Sequence, residues 1–216
     1  MANSYTDANG VYKNKLGITD AAKLAIVEYE SAAIGSEEIL TGQVQLGPHE
    51  YGLEKLCAIH KHLFQDVYEW AGKPRSIPLA KRFGIGNLIS VFADPQTIVS
   101  EWHELEKETR DFVQAKGLSF KQKQEVLAEI FIKANHIHAF PEGNGRAVQV
   151  FMRLLAREQR VELDYSKTNA LDWNLACTIS GTHGQLVEHE RRVIRAPLNL
   201  EPMKKIIFEI SSPIGG

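Results

Sequence analysis

The sequence predicts a mainly α, single-domain helical bundle, and three observations carry that expectation. Val126, Leu127, Ile130, Phe131 and Ala134 recur at helical spacing behind Ser119 and Gln122, which stand as a capping box. Residues 147–156 form a second apolar pattern at helical spacing, without an internal glycine or proline. The 216 residues contain no internal repeat, low-complexity tract or obvious linker, and that length suits one substantial core, or one domain plus an arm.

In chain order, helices are expected at about 20–37, 49–70, 96–115, 120–137, 144–160, 168–180 and 200–210, after an N-terminal arm of about 1–19. In residues 73–86, Pro74 and Pro78 exclude a helix, and Ile77 and Leu79 alternate with small or rigid residues as in an exposed edge strand. The helices at 120–137 and 144–160 flank the loop at 138–146, and their apolar faces should pair as the core. Trp70, Trp102 and Trp173 are assigned to core packing. The last six residues, Ser-Ser-Pro-Ile-Gly-Gly, have the composition of a flexible tail.

Composition narrows the function class. With 25 Lys and Arg against 27 Asp and Glu, the net charge of −2 and the lack of a basic aromatic stripe argue against nucleic-acid binding. Cys57 and Cys177 both lie in apolar helical contexts and are expected as free buried thiols. No apolar run is long enough for a bilayer and no signal-peptide pattern opens the chain, so a cytoplasmic protein, or one delivered into another cell's cytoplasm, is expected.

The chemistry is concentrated in His138-Ala139-Phe140-Pro141-Glu142-Gly143-Asn144-Gly145-Arg146. Histidine titrates near neutral pH, so His138 is suited to take a proton. Glu142 is a hard carboxylate fit for Mg²⁺, which favours one or two carboxylates plus phosphate oxygens. A helix opening on Gly-Asn-Gly offers unpaired N–H groups and the positive end of its dipole to an anion. Arg146 adds a guanidinium fork, Gly143 and Gly145 let the backbone approach phosphates, and the Asn144 amide adds a donor. Phe140 should point into the core and fix the loop. The histidines at 60, 62, 136 and 138 form two H-x-H pairs without the spacing or carboxylate companion of a zinc helix.

This stretch resembles the signature of the Fic family, H-x-F-x-[D/E]-G-N-G-R-x-x-R. Tyr12 with residues 14–18, and the run from His60 to Gly72 followed by Arg75, resemble further landmarks of that family, so the likeness spans about residues 12 to 180. The resemblance implies a Fic-type helical bundle over 1–216 with a β-hairpin flap at about 73–93. It implies a protein adenylylyltransferase that moves AMP from Mg-ATP to a Tyr, Thr or Ser hydroxyl of a target protein. Residue by residue, His138 becomes the general base, Glu142 the Mg²⁺ ligand and Asn144 an α-phosphate contact. Gly143 to Gly145 become the anion hole, and Arg146 the holder of the outer phosphates. Lys81 at the flap tip, with Arg82, is placed near nucleotide or target, and Ser76, Ile77, Pro78 and Leu79 become the strand on which the target docks by main-chain pairing.

Two positions depart from the signature. Ala139 replaces the usual proline, with Pro141 two residues later, and Gln149 occupies the second arginine position. Arg153, one turn further along the helix, is either a substitute phosphate ligand or a solvated surface arginine. Gly145 favours AMP transfer over phosphorylation, because the phosphorylating Doc-like branch carries a lysine there; transfer of UMP or phosphocholine is a minor option. The family's inhibitory pattern [S/T]-x-x-x-E-[G/N] is absent: Thr97 and Glu101 have the spacing, but Trp102 follows. A separate small antitoxin-like partner is therefore expected to provide any inhibition. The rival reading is a Fic-scaffold binding module that has lost transfer. Bacterial type II topoisomerase subunits and small GTPases are both family precedents as targets, and the sequence does not choose between them.

Overall fold

A computed structural model describes residues 4–47, 50–82, 88–180, 186–189, 192–195 and 199–215. Seven helices occur among them: α1 (Ala21–Leu40), α2 (Leu53–Phe64), α3 (Ile98–Gln114), α4 (Phe120–Ile137), α5 (Asn144–Glu158), α6 (Ala170–Ile179) and α7 (Glu201–Ile210). The strands are β1 (Ala80–Arg82), β2 (Leu88–Val91), β3 (Val161–Leu163), β4 (Leu186–His189), β5 (Arg192–Arg195) and β6 (Ser211–Pro213). The mainly helical expectation holds, and each expected helix is present within a few residues of its expected bounds except α2. Among the described residues no helix is long and apolar enough to cross a membrane.

Local chemistry explains several starts. Asp20 caps α1 by accepting from the Lys23 N–H at 2.9 Å. Ser119 and Gln122 make the reciprocal capping box at the head of α4. The core is built where α4 packs on α3, α5 and α7, and where α2 packs on α1 and α5. Trp102, Phe131, Phe140, Phe151 and Tyr68 are among its largest fully buried side chains.

The second helix ends at Phe64 rather than near residue 70. Past that point the chain turns: the N–H groups of Val67 and Tyr68 both donate to the Phe64 carbonyl, and both side chains remain buried. Apolar periodicity therefore continued into an irregular turn that serves the same core. Gly72 (φ +76°) brings that turn back onto α2, where an added Cβ would lie 2.7 Å from Lys61 and 2.8 Å from the Cys57 carbonyl.

Two further differences concern strands. The expected hairpin forms, β1 pairing antiparallel with β2 with Lys81 opposite Ser90. Its first strand begins at Ala80, however, so Ser76, Ile77, Pro78 and Leu79 lie in the approach to the strand and not within it. Pro78 supplies no N–H for pairing, and the Ser76 N–H and Ile77 carbonyl are already bonded to Tyr5 and Arg75. The hairpin is also half of a larger sheet, ordered β1-β2-β4-β5, with β1 at one edge. The second difference is at the end of the chain, where Ser211–Pro213 pairs with Val161–Leu163 instead of trailing free. Gln124 fixes this strand by donating to the Ser211 hydroxyl at 2.6 Å.

Candidate active site

The loop between α4 and α5 brings the signature residues together. His138 ends α4 in the left-handed conformation (φ 49°, ψ 61°), a non-glycine exception that the loop must hold in place. Its ring Nδ1 lies 3.1 Å from the Asn135 carbonyl. A carbonyl only accepts, so Nδ1 carries the proton and Nε2 is left as a bare acceptor. Nε2 is buried and has no hydrogen-bond partner among the described residues. Phe92, just beyond β2, stacks on the ring at 3.6 Å between centroids. Burial holds His138 well below the ordinary imidazole value, with Lys81, Arg75 and His136 acting in the same direction against the Asn135 contact.

Phe140 is fully buried, as expected, and stacks on His60 at 3.8 Å. His60 is a structural histidine: the Gly72 N–H donates to Nδ1 at 2.9 Å, so Nε2 bears the hydrogen and donates to the Glu142 carbonyl at 2.9 Å. Gly143 (φ +80°) leaves no room for a side chain, since a Cβ there would sit 2.5 Å from the Phe64 ring. Gly145 is the opposite case. A Cβ there would meet nothing within 4 Å, because the residue opens onto the cavities described below.

Asn144 holds the loop from within. Its Oδ1 accepts from the Phe140 N–H at 2.8 Å and its Nδ2 donates to the Phe140 carbonyl at 2.7 Å, so both ends of the amide lock the loop. The helix it opens has Gly143 as its N-cap and no side chain capping it. The unpaired backbone N–H groups at the head of α5 are thus available to an anion, beside the second Nδ2–H of Asn144.

Glu142 lies 3.6 Å from Lys81 and 3.3 Å from Arg146. Burial raises its pKa, but Lys81, the Gly143 N–H and Arg146 outweigh this and hold the carboxyl below its ordinary value, hence ionised. Arg146 also donates from Nη2 to Glu28 at 2.9 Å, while its guanidinium lies 4.9 Å from the Tyr29 ring and 4.8 Å from the Phe64 ring. The remaining Glu28 oxygen accepts from the Tyr68 hydroxyl. Arg153 is ion-paired rather than freely solvated: its Nη2 is bonded to Glu162 at 2.8 Å, and its buried Nε has no partner among the described residues.

Two adjoining cavities meet at this loop. One, of about 320 Å³, is lined by His138 with Lys81, Arg82, Phe92 and Asn135. The other, of about 450 Å³, is lined by Glu142 with Arg146, Gln149, Tyr29 and Tyr165. Lys81, Gly145, Trp173 and Asn174 line both. Trp173, assigned to the core, does pack edge-on against Phe131 and Tyr165, at 4.9 and 5.1 Å. It also forms a wall of the site. Cys177 lines the cavity beside His138, and both cysteines are free and half-buried.

Several site residues carry no motif signal. Glu28 was detectable only as a carboxylate within the apolar stripe Leu24, Ala32 and Ile39 of α1. Tyr29, Tyr165 and Asn174 reach the cavities from elements distant in sequence, which no local pattern reports.

A protein-family model, the Fic/DOC family, matches residues 50–156. The "Probable protein adenylyltransferase Fic" of Salmonella typhimurium is 31% identical over 176 residues, 82% of each chain. The chain belongs to the Fic/DOC family. Protein adenylyltransferase VbhT of Bartonella schoenbuchensis is 35% identical to this Fic domain over 76% of the chain, which spans 32% of that longer relative. Among solved structures, the BepC protein of Bartonella tribocorum with bound AMPPNP superposes with a TM-score of 0.78 at 26% identity, covering 96% of this chain and 95% of that one. The N-terminal Fic domain of a Bartonella quintana protein with bound ADP gives 0.75 at 26% identity, covering 97% and 94%.

The two buried neutral histidines make a pH prediction for this Fic domain. Burial depresses His60 from 6.5 to about 4, and His138 lies well below the ordinary value, so neither is protonated in the native state at neutral pH. The unfolded chain takes up these protons first, so the stability they contribute is present above about pH 6.5 and is lost as pH falls towards the folded values. His60 alone contributes on the order of 3 kcal/mol across that window. Urea midpoints should fall steadily from pH 7 to pH 5; a flat midpoint would show that the imidazoles are not held neutral.

Proposed function

We propose that this domain is a protein adenylylyltransferase that transfers AMP from Mg-ATP to a Tyr, Thr or Ser hydroxyl of a target protein. The observation that carries this reading is the unprotonated Nε2 of His138, without a partner among the described residues, beside a cavity shared with Gly145 at the open head of a helix. Nε2 takes the hydroxyl proton and the oxygen forms its bond to the α-phosphorus. The bond from that phosphorus to its bridging oxygen breaks, and pyrophosphate leaves with the electron pair. Backbone N–H groups at the head of α5 and the Arg146 guanidinium face the charge that develops, which is how phosphoryl-type transfer is mainly catalysed.

The ionised carboxylate of Glu142 fits Mg²⁺. No cluster of three or more metal-ligating side chains exists among the described residues, so the other ligands there would be phosphate oxygens and water, as this hard cation prefers. Bound there, Mg²⁺ would offset phosphate charge. The open space at Gly145, where the phosphorylating branch carries a lysine, supports AMP transfer over phosphorylation. Trp173 and Asn174, lining both cavities, are suited to the nucleoside.

The target is read by its backbone. Strand β1 is exposed, ends the sheet, and carries Lys81 into both cavities, so an extended segment paired along its outer edge would be placed beside His138. The docking strand is thus Ala80–Arg82, with Ser76 to Leu79 as its approach. Control by a separate antitoxin-like chain belongs to the same reading, and the isolated domain is expected to be active.

The test is incubation of the purified chain with Mg²⁺ and ATP labelled at the α- or the γ-phosphate, in bacterial and eukaryotic lysates. Protein label from the α-phosphate alone is expected. Label from the γ-phosphate would move the assignment to phosphorylation. Nucleotide binding without label in either lysate would favour the binding-module reading.

A further inference from the structure

The ring of Phe92 lies flat on the imidazole of His138, with 3.6 Å between centroids and 11° between planes. Phe92 is half-buried, follows β2 directly and lines the cavity beside His138. Its N–H donates to the Leu79 carbonyl at 3.3 Å, which carries the flap pairing one step beyond Ala80 and Val91. The next residue, Ala93, donates to the His136 carbonyl at 3.1 Å and accepts from Arg75 at 2.6 Å. The flap, and not the motif loop, therefore sets where this ring sits.

Two properties of His138 call for such a contact. Its imidazole is tied through one hydrogen bond, from Nδ1 to the Asn135 carbonyl. The last torsion of a histidine is broad, so a single bond at one edge leaves the plane free to swing. A second ring laid against the face removes that freedom and keeps Nε2 aimed at the cavity. The other property is charge. When Nε2 takes a hydroxyl proton, and the oxygen keeps the electron pair for phosphorus, the ring becomes an imidazolium. The acceptor at Nδ1 is a neutral carbonyl, not the carboxylate that steadies the imidazolium of a catalytic triad. Burial, then Lys81, Arg75 and His136, all oppose a positive charge there, and Arg82 of β1 lines the same cavity. The negative face of an aromatic ring suits a cation, most of all where water is excluded.

We propose that Phe92 is a positioning residue for the base, fixing the imidazole plane and lending its π face to the imidazolium formed as the proton moves. This role rests on the adenylylyltransferase reading of His138. It gives the flap a second task, since the hairpin that offers β1 to a target also carries, at the end of its return strand, the ring that keeps the base in line.

The experiment compares the full chain with its Phe92→Leu and Phe92→Tyr variants. Leucine keeps an apolar cover without a π face, whereas tyrosine keeps the face. Initial rates of protein label are read from α-labelled Mg-ATP in bacterial and eukaryotic lysates, with ATP varied. Phe92→Leu should lower the limiting rate roughly tenfold while the half-saturating ATP concentration stays within about twofold, and Phe92→Tyr should retain the rate within about threefold. Magnetic resonance of isotopically labelled histidine reports the stack without turnover, the His138 signal being identified by its absence from His138→Ala. That signal should be shifted upfield by the aromatic ring in the unmodified chain and in Phe92→Tyr, and should move downfield in Phe92→Leu. The signal of His60, stacked on Phe140 in the core, should hold its position, which tells a lost stack from a lost fold.

A leucine variant as fast as the unmodified chain, a tyrosine variant as slow as leucine, or a His138 signal that leucine leaves in place would overturn the proposal. No protein label from the unmodified chain in either lysate would instead overturn the reading of His138 as the base, and this role with it.

Discussion

His138→Ala is expected to lower the rate of AMP transfer on the order of 10³-fold, the usual contribution of a positioned general base, while ATP affinity stays within about twofold. The split follows from the geometry. Nε2 is the only atom of the ring free to accept a proton, because Nδ1 is spent on Asn135. The groups proposed to hold phosphate, Arg146 and the head of α5, belong to other parts of the loop and keep their own surroundings. The wild-type pH profile tests the same assignment independently. A base is active when neutral, and burial holds His138 well below the ordinary value, so the acid limb of kcat/KM should lie below the usual histidine range. Transfer should remain nearly complete at pH 6. An acid limb at or above pH 6.5, or a variant that still labels its target, would place the base elsewhere.

The helices were legible in the sequence because their information is local. The Ser119 and Gln122 pair and the apolar stripe behind it start α4 at Phe120, and the Gly-Asn-Gly run starts α5 at Asn144. The motif also put His138, Glu142, Gly145 and Arg146 in one place, as the structure does. What local pattern could not report was how each side chain would spend its hydrogen bonds. Asn144 reads as a free donor until Phe140 is folded against it. Arg153 reads as open until Glu162 arrives across the turn after α5. Pairing between distant segments was equally invisible. The β3–β6 pair joins residues about fifty positions apart, and β4 adds to the flap from beyond α6. In both cases the short strands have too few residues for a period of two to emerge.

Arg75 is marked in the sequence only as a landmark and shows its task in three dimensions, and Arg75→Ala is expected to cost about 3–5 kcal/mol of stability together with most of the transfer activity. The guanidinium is buried and bonded to four backbone carbonyls: Nε to His138 at 2.8 Å, Nη1 to Ile77 at 2.7 Å, and Nη2 to Ala93 at 2.6 Å and Ile137 at 3.3 Å. Its own N–H donates to the Ala139 carbonyl at 2.7 Å. One side chain thus ties both feet of the flap to the end of α4 and holds the carbonyl of the residue kept at positive φ. Ala139, which stands where the family usually has proline, is held by that backbone bond instead of by a ring. Truncation would leave buried carbonyls unpaired and free His138 to relax out of the left-handed conformation, which would move Nε2 from the cavity. Arg75→Lys distinguishes the two contributions, because an ammonium keeps the charge but cannot span four acceptors in a fork. Lysine should recover part of the urea midpoint and little of the transfer rate. A lysine variant with full activity, or an alanine variant as stable as the parent, would show that the flap and the catalytic loop are positioned by something other than this guanidinium.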